Sequence, residues 1–343
     1  MKSLSPPPAA RRLTRVHGLA AATLVAAITV PLTVYAFDQA QIVEVHARIA
    51  EAGGWSSSSL TATVGEPLRL RLVSDDMTHG FAVGQTDWAE IELKPKAPVE
   101  TTLVFERPGR YTYYCTRWCG LGHWRMRGTI EVAAARDLPG GATPPPPDPP
   151  LYAQLGIDLD ASVETPAAMV PAVRPSAARG DALAAAVPEA LRSQAIWRSQ
   201  SPAELWLNLR NEDTLTALSD VALWDVVAHL WRAQTTPELI EEGRALYAAN
   251  CAVCHGDTGG GDGIAAQALA ARRDAAQATF GHMTMAPTDF SDAVHMLSLS
   301  PARLQGKIIR GGMGTGMPFW GPIFTEDQTW ALTDFLWTYS FDR

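Results

Sequence analysis

The chain has 343 residues, 47% of them hydrophobic and 19% charged, with a formal net charge of −8. Such a length suits two or three domains, the apolar content excludes broad disorder, and the acidic balance excludes nucleic acid as a partner. The four cysteines fall as two tight pairs, Cys115 with Cys119 and Cys251 with Cys254, which read as ligand or cofactor attachment points rather than a disulfide framework.

At the N-terminus, Lys2, Arg11, Arg12 and Arg15 precede an apolar run over residues 16–37. At 1.5 Å per residue that run spans about 33 Å, enough for a hydrocarbon core of about 30 Å. The basic flank keeps residues 1–15 cytoplasmic, so the expectation is a single-pass anchor in the cell membrane with all later domains on the periplasmic or other extracytoplasmic side. A cleaved signal peptide competes, because Val34-Tyr35-Ala36 offers a small-residue site. The run is longer than the usual signal core of about 7–15 residues, which favours the retained anchor.

Residues 40–135 are β-like. LRLRL at 68–72 alternates with period two and GTIEV at 128–132 does so more loosely, while segments near 100–105 and 110–114 flank the turn Arg107-Pro108-Gly109. Several short strands at this spacing predict an all-β Greek-key sandwich. The proline-rich stretch 136–150 predicts a semi-rigid spacer.

Beyond the spacer the text is helical, over 151–232 and again over 237–343. SPAEL at 201–205 has the layout of SPARL at 300–304, and LSDVALWDVVAHLW at 218–231 lines up with FTEDQTWALTDFLW at 324–337. Ser201 with Pro202 and Glu204, and Thr325 with Gln328, have the form of helix-starting caps. These matches predict a duplication whose first copy, 151–232, has no cysteine and so no cofactor.

YCTRWCGLGHWRM at 114–126 brings Cys115, Cys119, His123 and Met126 into one loop, and His79, after the strand at 68–72, is placed at the same end of the sandwich. Thiolates, imidazoles and a thioether form a soft ligand set suited to copper. Two thiolates four residues apart can bridge a pair of copper ions. A structural zinc site of two cysteines and two histidines is the plainer alternative, against which Met126 argues. Trp118 and Trp124 flank the ligands, either as an electron-transfer patch or as a cover.

CAVCH at 251–255 is the C-x-x-C-H signature of c-type haem attachment, with Cys251 and Cys254 adding to the haem and His255 beneath the iron. The segment 236–250 reads as an amphipathic helix with Gly243 and Tyr247 on one side, followed by a glycine-rich loop at 256–263.

C-x3-C-x3-H-x2-M over 115–126, with the upstream D-x2-H-x-F of Asp76, His79 and Phe81, resembles the CuA domain of cytochrome c oxidase subunit II, closest to the single-helix kind of B-type oxidases. The resemblance covers 40–134 and implies a cupredoxin-like fold holding a binuclear copper centre. It implies that Cys115 and Cys119 bridge the coppers, that His123 and the main-chain carbonyl of Arg117 serve one, and that His79 and Met126 serve the other. Where many members carry a glutamate that reaches a magnesium ion, this chain has Arg117, which has no acceptor lone pair. Residues 237–343 resemble a class I cytochrome c domain, whose Met-Pro pattern makes Met317 the sixth haem ligand, with Met313 the other candidate.

Together these resemblances imply an electron-transfer subunit of a respiratory terminal oxidase. It takes electrons from a soluble or membrane cytochrome or cupredoxin donor through one covalent haem c. It passes them by CuA to the membrane-embedded catalytic subunit I, and is itself non-catalytic. A copper-receiving subunit of a nitric oxide reductase is the alternative, and a copper-handling protein a further one that leaves the haem unexplained. The eight histidines are too few for the catalytic cluster of nitrous oxide reductase.

Overall fold

The structure is a computed structural model and describes residues 42–120, 122–135, 148–166, 169–270, 286–312 and 316–342. The expected membrane anchor, most of the spacer, and Met313 lie outside the described residues. Among those described, no helix is long and apolar enough to cross a membrane.

The β half comprises β1 (Ile42–Ala47), β2 (Ser59–Thr63), β3 (Pro67–Ser74), β4 (His79–Val83), β5 (Ile91–Leu93), β6 (Val99–Val104), β7 (Gly109–Tyr114) and β8 (Arg127–Ala133). They form a three-stranded sheet, β1-β3-β6, and a five-stranded sheet, β2-β8-β7-β4-β5. β1 pairs with β3 and β2 with β8 in parallel, and the remaining pairs are antiparallel. The alternation in β3 places Leu68, Leu70 and Leu72 inward, and β8 does the same with Ile130 and Val132. Phe81, Tyr113 and Trp55 meet across this core with ring centroids 5.6–5.7 Å apart. The result is a cupredoxin-like β domain.

Pro150 is extended (φ −54°, ψ 150°) where it leads into the helical half. That half runs through α1 (Leu151–Gln154), α2 (Ala177–Asp181), α3 (Gln194–Ser199), α4 (Pro202–Arg210), α5 (Asp220–Ala233), α6 (Pro237–Asn250), α7 (Ala252–His255), α8 (Ala293–Met296), α9 (Pro301–Arg310) and α10 (Glu326–Leu336), with residues 264–270 also helical. The first part is less helical than its composition suggests. Residues 156–166 and 169–175 are irregular, with Pro166, Pro171 and Pro175 removing backbone donors.

Both predicted capping boxes form, Ser201 with Glu204 and Thr325 with Gln328. Ser300 caps α9, with Pro301 in its first turn. The helix crossings repeat in register. A Cβ on Gly243 of α6 would lie 2.1 Å from the Ala331 carbonyl oxygen and 2.7 Å from the Phe335 Cβ on α10. A Cβ on Gly180 of α2 would lie 2.0 Å from the Asp225 carbonyl oxygen and 2.9 Å from the His229 Cβ on α5. The alignment that pairs Trp224 with Trp330 also pairs Asp225 with Ala331 and His229 with Phe335. Both parts share one apolar core containing Trp197, Trp224, Trp231, Leu332 and Trp337.

Candidate metal centre and haem pocket

β7 delivers Cys115 at its end, the loop to β8 returns Cys119, His123 and Met126, and His79 opens the neighbouring β4. The donor atoms of His79, Cys115 and Cys119 all lie within 4.8 Å of one another, and all three residues are buried. His79 Nδ1 is 3.7 Å from Cys115 Sγ, which is 3.3 Å from the Arg117 carbonyl oxygen. Cys119 Sγ is 3.5 Å from His123 Nδ1 and 3.2 Å from Met126 Sδ. All six predicted donors therefore converge on one small volume. By nearest distance, Cys115 groups with His79 and the Arg117 carbonyl, and Cys119 with His123 and Met126.

The surroundings fix this set. His79 Nε2 lies 2.7 Å from the Asp76 carboxylate, so Nε2–H donates there and Nδ1 turns its lone pair toward the thiols. The Met126 carbonyl accepts from Trp55 Nε1 and from the Cys115 amide, each at 3.0 Å. The hydrogen bond between the two thiols, with further donors around Cys115, drives Cys115 far below the ordinary thiol range. That same bond, with burial and the charge on Cys115, pushes Cys119 far up. A dication displaces the proton this pair retains, which suits a thiolate site.

Arg117 presents only its backbone to the centre. Its guanidinium turns away to Glu90 at 2.5 Å. Trp118 is exposed at the surface, 5.8 Å from the His123 ring; Trp124 is half-buried. Asp76, Glu90 and Trp55 were given no role by sequence reasoning. Only Asp76 carried a signal, three residues before His79.

The second site is a cavity of about 450 Å³ whose walls include Cys251, Cys254, His255, Met317 and Trp320. His255 Nδ1 donates to the Thr288 carbonyl at 3.0 Å, its ring stacks on Phe290 at 4.7 Å, and burial lowers its pKa. The imidazole is therefore neutral, with Nε2 free to ligate. Burial pushes Cys251 up to about 12 and also raises Cys254. The glycine loop folds back on the motif, Gly263 N donating to the Cys254 carbonyl and Gly261 N to that of His255. A side chain at Gly263 would strike the Ala252 and Val253 carbonyls at 2.5 Å. Met317 reaches the same cavity from the chain after α9.

The cavity is apolar apart from one charged edge, formed by Lys307 and Arg310 of α9 and by Asp160. Asp160 belongs to residues 151–166, a strap laid over α9. It grips Arg310 through two bonds of 2.8 and 2.7 Å, and Arg303 donates to the Ala161 carbonyl. Among the described residues Arg310 Nε is buried without a hydrogen-bond partner, and Lys307 adds a second cation to this edge.

The cytochrome c family profile matches residues 240–340. A protein named cytochrome c oxidase subunit 2 from Thermus thermophilus is 34% identical over 84 residues, 24% of this chain and 62% of that one; a longer protein of the same name and species is matched over 49% of its length. The chain thus spans less than two thirds of these relatives. The nitrous-oxide reductase of Ralstonia nicotianae is 29% identical over 89 residues, 25% of this chain and 14% of that protein. A solved heme-copper terminal oxidase dimer aligns at 21% identity with a TM-score of 0.24, covering 35% of this chain and 99% of that one.

Proposed function

We propose, for a chain homologous to cytochrome c oxidase subunit II in its CuA domain and carrying a cytochrome c domain in its C-terminal region, that it is the electron-transfer subunit of a haem–copper terminal oxidase. In this reading Cys115, Cys119, His79, His123, Met126 and the Arg117 carbonyl would hold a pair of copper ions. Cys251 and Cys254 would anchor a haem covalently, His255 and Met317 would ligate its iron, and Lys307 and Arg310 would face its carboxylates. When bound, the copper pair and the haem each take up and release one electron.

One observation supports the reading: His79, Cys115 and Cys119 cluster with their donor atoms within 4.8 Å, and the Arg117 carbonyl, His123 and Met126 each lie beside one of the two sulfurs, in the same chain as a C-x-x-C-H cavity. The protein's residues hold geometry. Asp76 fixes the tautomer of His79, Trp55 pins the Met126 carbonyl, and Thr288 orients His255. The relay asks this chain only to hold the two centres, and oxygen reduction in this reading belongs to a membrane-embedded partner subunit. Residues 16–37 tether the chain beside that partner, electrons arrive from a cytochrome or cupredoxin donor, and the cofactor-free copy at 151–232 supports the haem domain.

A nitric oxide reductase is the second reading, favoured by Arg117, which takes Glu90 rather than a shared magnesium ion. The catalytic subunit that co-purifies decides between them. For either, stopped-flow reduction of the full chain loaded with haem and copper should show the haem reduced first and the copper pair from it. Cys119→Ser should abolish the binuclear copper signal while leaving haem absorption intact. Independent reduction of the two centres would overturn the relay.

A further inference from the structure

The two candidate centres are joined by a built contact. Trp320 lines the haem cavity on one side and lies 5.4 Å beneath the Arg127 guanidinium on the other. Arg127 also sits 5.3 Å over Phe319 and donates to the Phe319 carbonyl at 2.8 Å. Arg127 follows Met126 in sequence, and Phe319 stands two residues after Met317. Tyr114, next to Cys115, packs against the helical core.

A second set of bonds closes the same seam. Gln85 N donates to the Ile323 carbonyl at 2.9 Å, and its side-chain amide donates to the Gly321 carbonyl at 2.6 Å and to that of Phe324. Gln85 holds a left-handed backbone, φ 63°, which a residue with a Cβ keeps only where its surroundings over-determine it. Beside it the backbones approach so closely that a Cβ on Gly84 would lie 2.5 Å from the Pro322 carbonyl oxygen. A domain that swings on its linker has no use for a strained residue whose bonds all cross the seam.

We propose that Arg127 and Gln85 clamp the Met317 loop onto the β domain, so that the two centres form one fixed pair, with Arg127 as the positioning residue between them. This deepens the electron-transfer reading and rests on it. The step served is a single-electron transfer. Ferrous haem iron is oxidised to ferric, the mixed-valence copper pair is reduced to two cuprous ions, and no bond or proton moves. Arg127 stays charged throughout; it contributes a short covalent and hydrogen-bonded path, Met126–Arg127 to Phe319, and the orientation of Trp320.

The test uses the full chain loaded with haem and copper and compares the wild type with Arg127→Met and Gln85→Ala. Internal electron transfer is followed after a flash from an external photoreductant, in buffer and in glycerol. Dipolar spectroscopy on frozen samples reads the spread of haem–copper distances. The wild type should transfer at a rate indifferent to viscosity, with one narrow distance. Arg127→Met should slow transfer several-fold, make it viscosity-dependent and broaden the distance, with both absorption spectra unchanged. Gln85→Ala should move the same readouts in the same direction and serves if Arg127→Met fails to fold. Wild-type rates and distances in both variants, or a viscosity-dependent wild type, would overturn the clamp. A wild type with a narrow distance and no internal transfer would instead sink the electron-transfer reading and leave the clamp standing.

Discussion

His79 shows how one side chain is made into a ligand by its neighbours. Nothing in a lone histidine selects Nδ1, but the Asp76 carboxylate occupies the other nitrogen and leaves Nδ1 to face the thiols. Asp334, in the last helix, lines neither site and is buried beside Arg198, whose guanidinium stacks 3.9 Å over Trp330. Burial pushes its pKa up to about 7, with the charge of Arg198 pulling the other way. The folded protein therefore holds a proton that the unfolded chain releases at about pH 4, so stability falls as pH rises between these values and is level above. Asp334→Asn should remove that slope and stabilise the protein at pH 8 by about 1–3 kcal/mol, read by denaturant titration across pH. An unchanged slope would show that Asp334 does not carry it.

At the level of elements, what the sequence made legible was what is local. The alternation at 68–72 fixed which face of β3 turns inward, the capping boxes at Ser201 and Thr325 fixed two helix starts, and the cysteine spacings marked both sites. Partners distant in the chain stayed hidden: Glu90 for Arg117, Thr288 for His255, Asp160 for Arg310. Each depends on which loops the topology brings together, and no spacing encodes that. The expected repeat is an intermediate case. Tryptophan and cap positions in the sequence suggest it, and the matching glycine crossings emerge only with the helices packed. Gly180→Ala and Gly243→Ala should each destabilise by about 1–3 kcal/mol or more, since neither carbonyl can withdraw without moving its helix. Melting of both variants checks this. Under the proposed function only Gly243→Ala, on the helix that leads into the Cys251 motif, should also perturb haem absorption.

For the whole molecule, two cores set the pattern of unfolding. One lies between the β sheets, and the other joins residues 177–231 to 240–341 without a break. Calorimetry should accordingly resolve a β transition and a single helical one, rather than separate transitions for the two helical parts. A third transition would mean that these parts are thermodynamically independent. Helices that share a core melt together.

The strap at 151–166 bears on how such a protein is made. Its Asp160 latches Arg310 on the wall of a cavity that Cys251 and Cys254 also line. If a haem is bonded to those thiols, entry from this side requires the strap to be loose. Under the proposed function, maturation would then have an order: attachment first, closure of the latch afterwards.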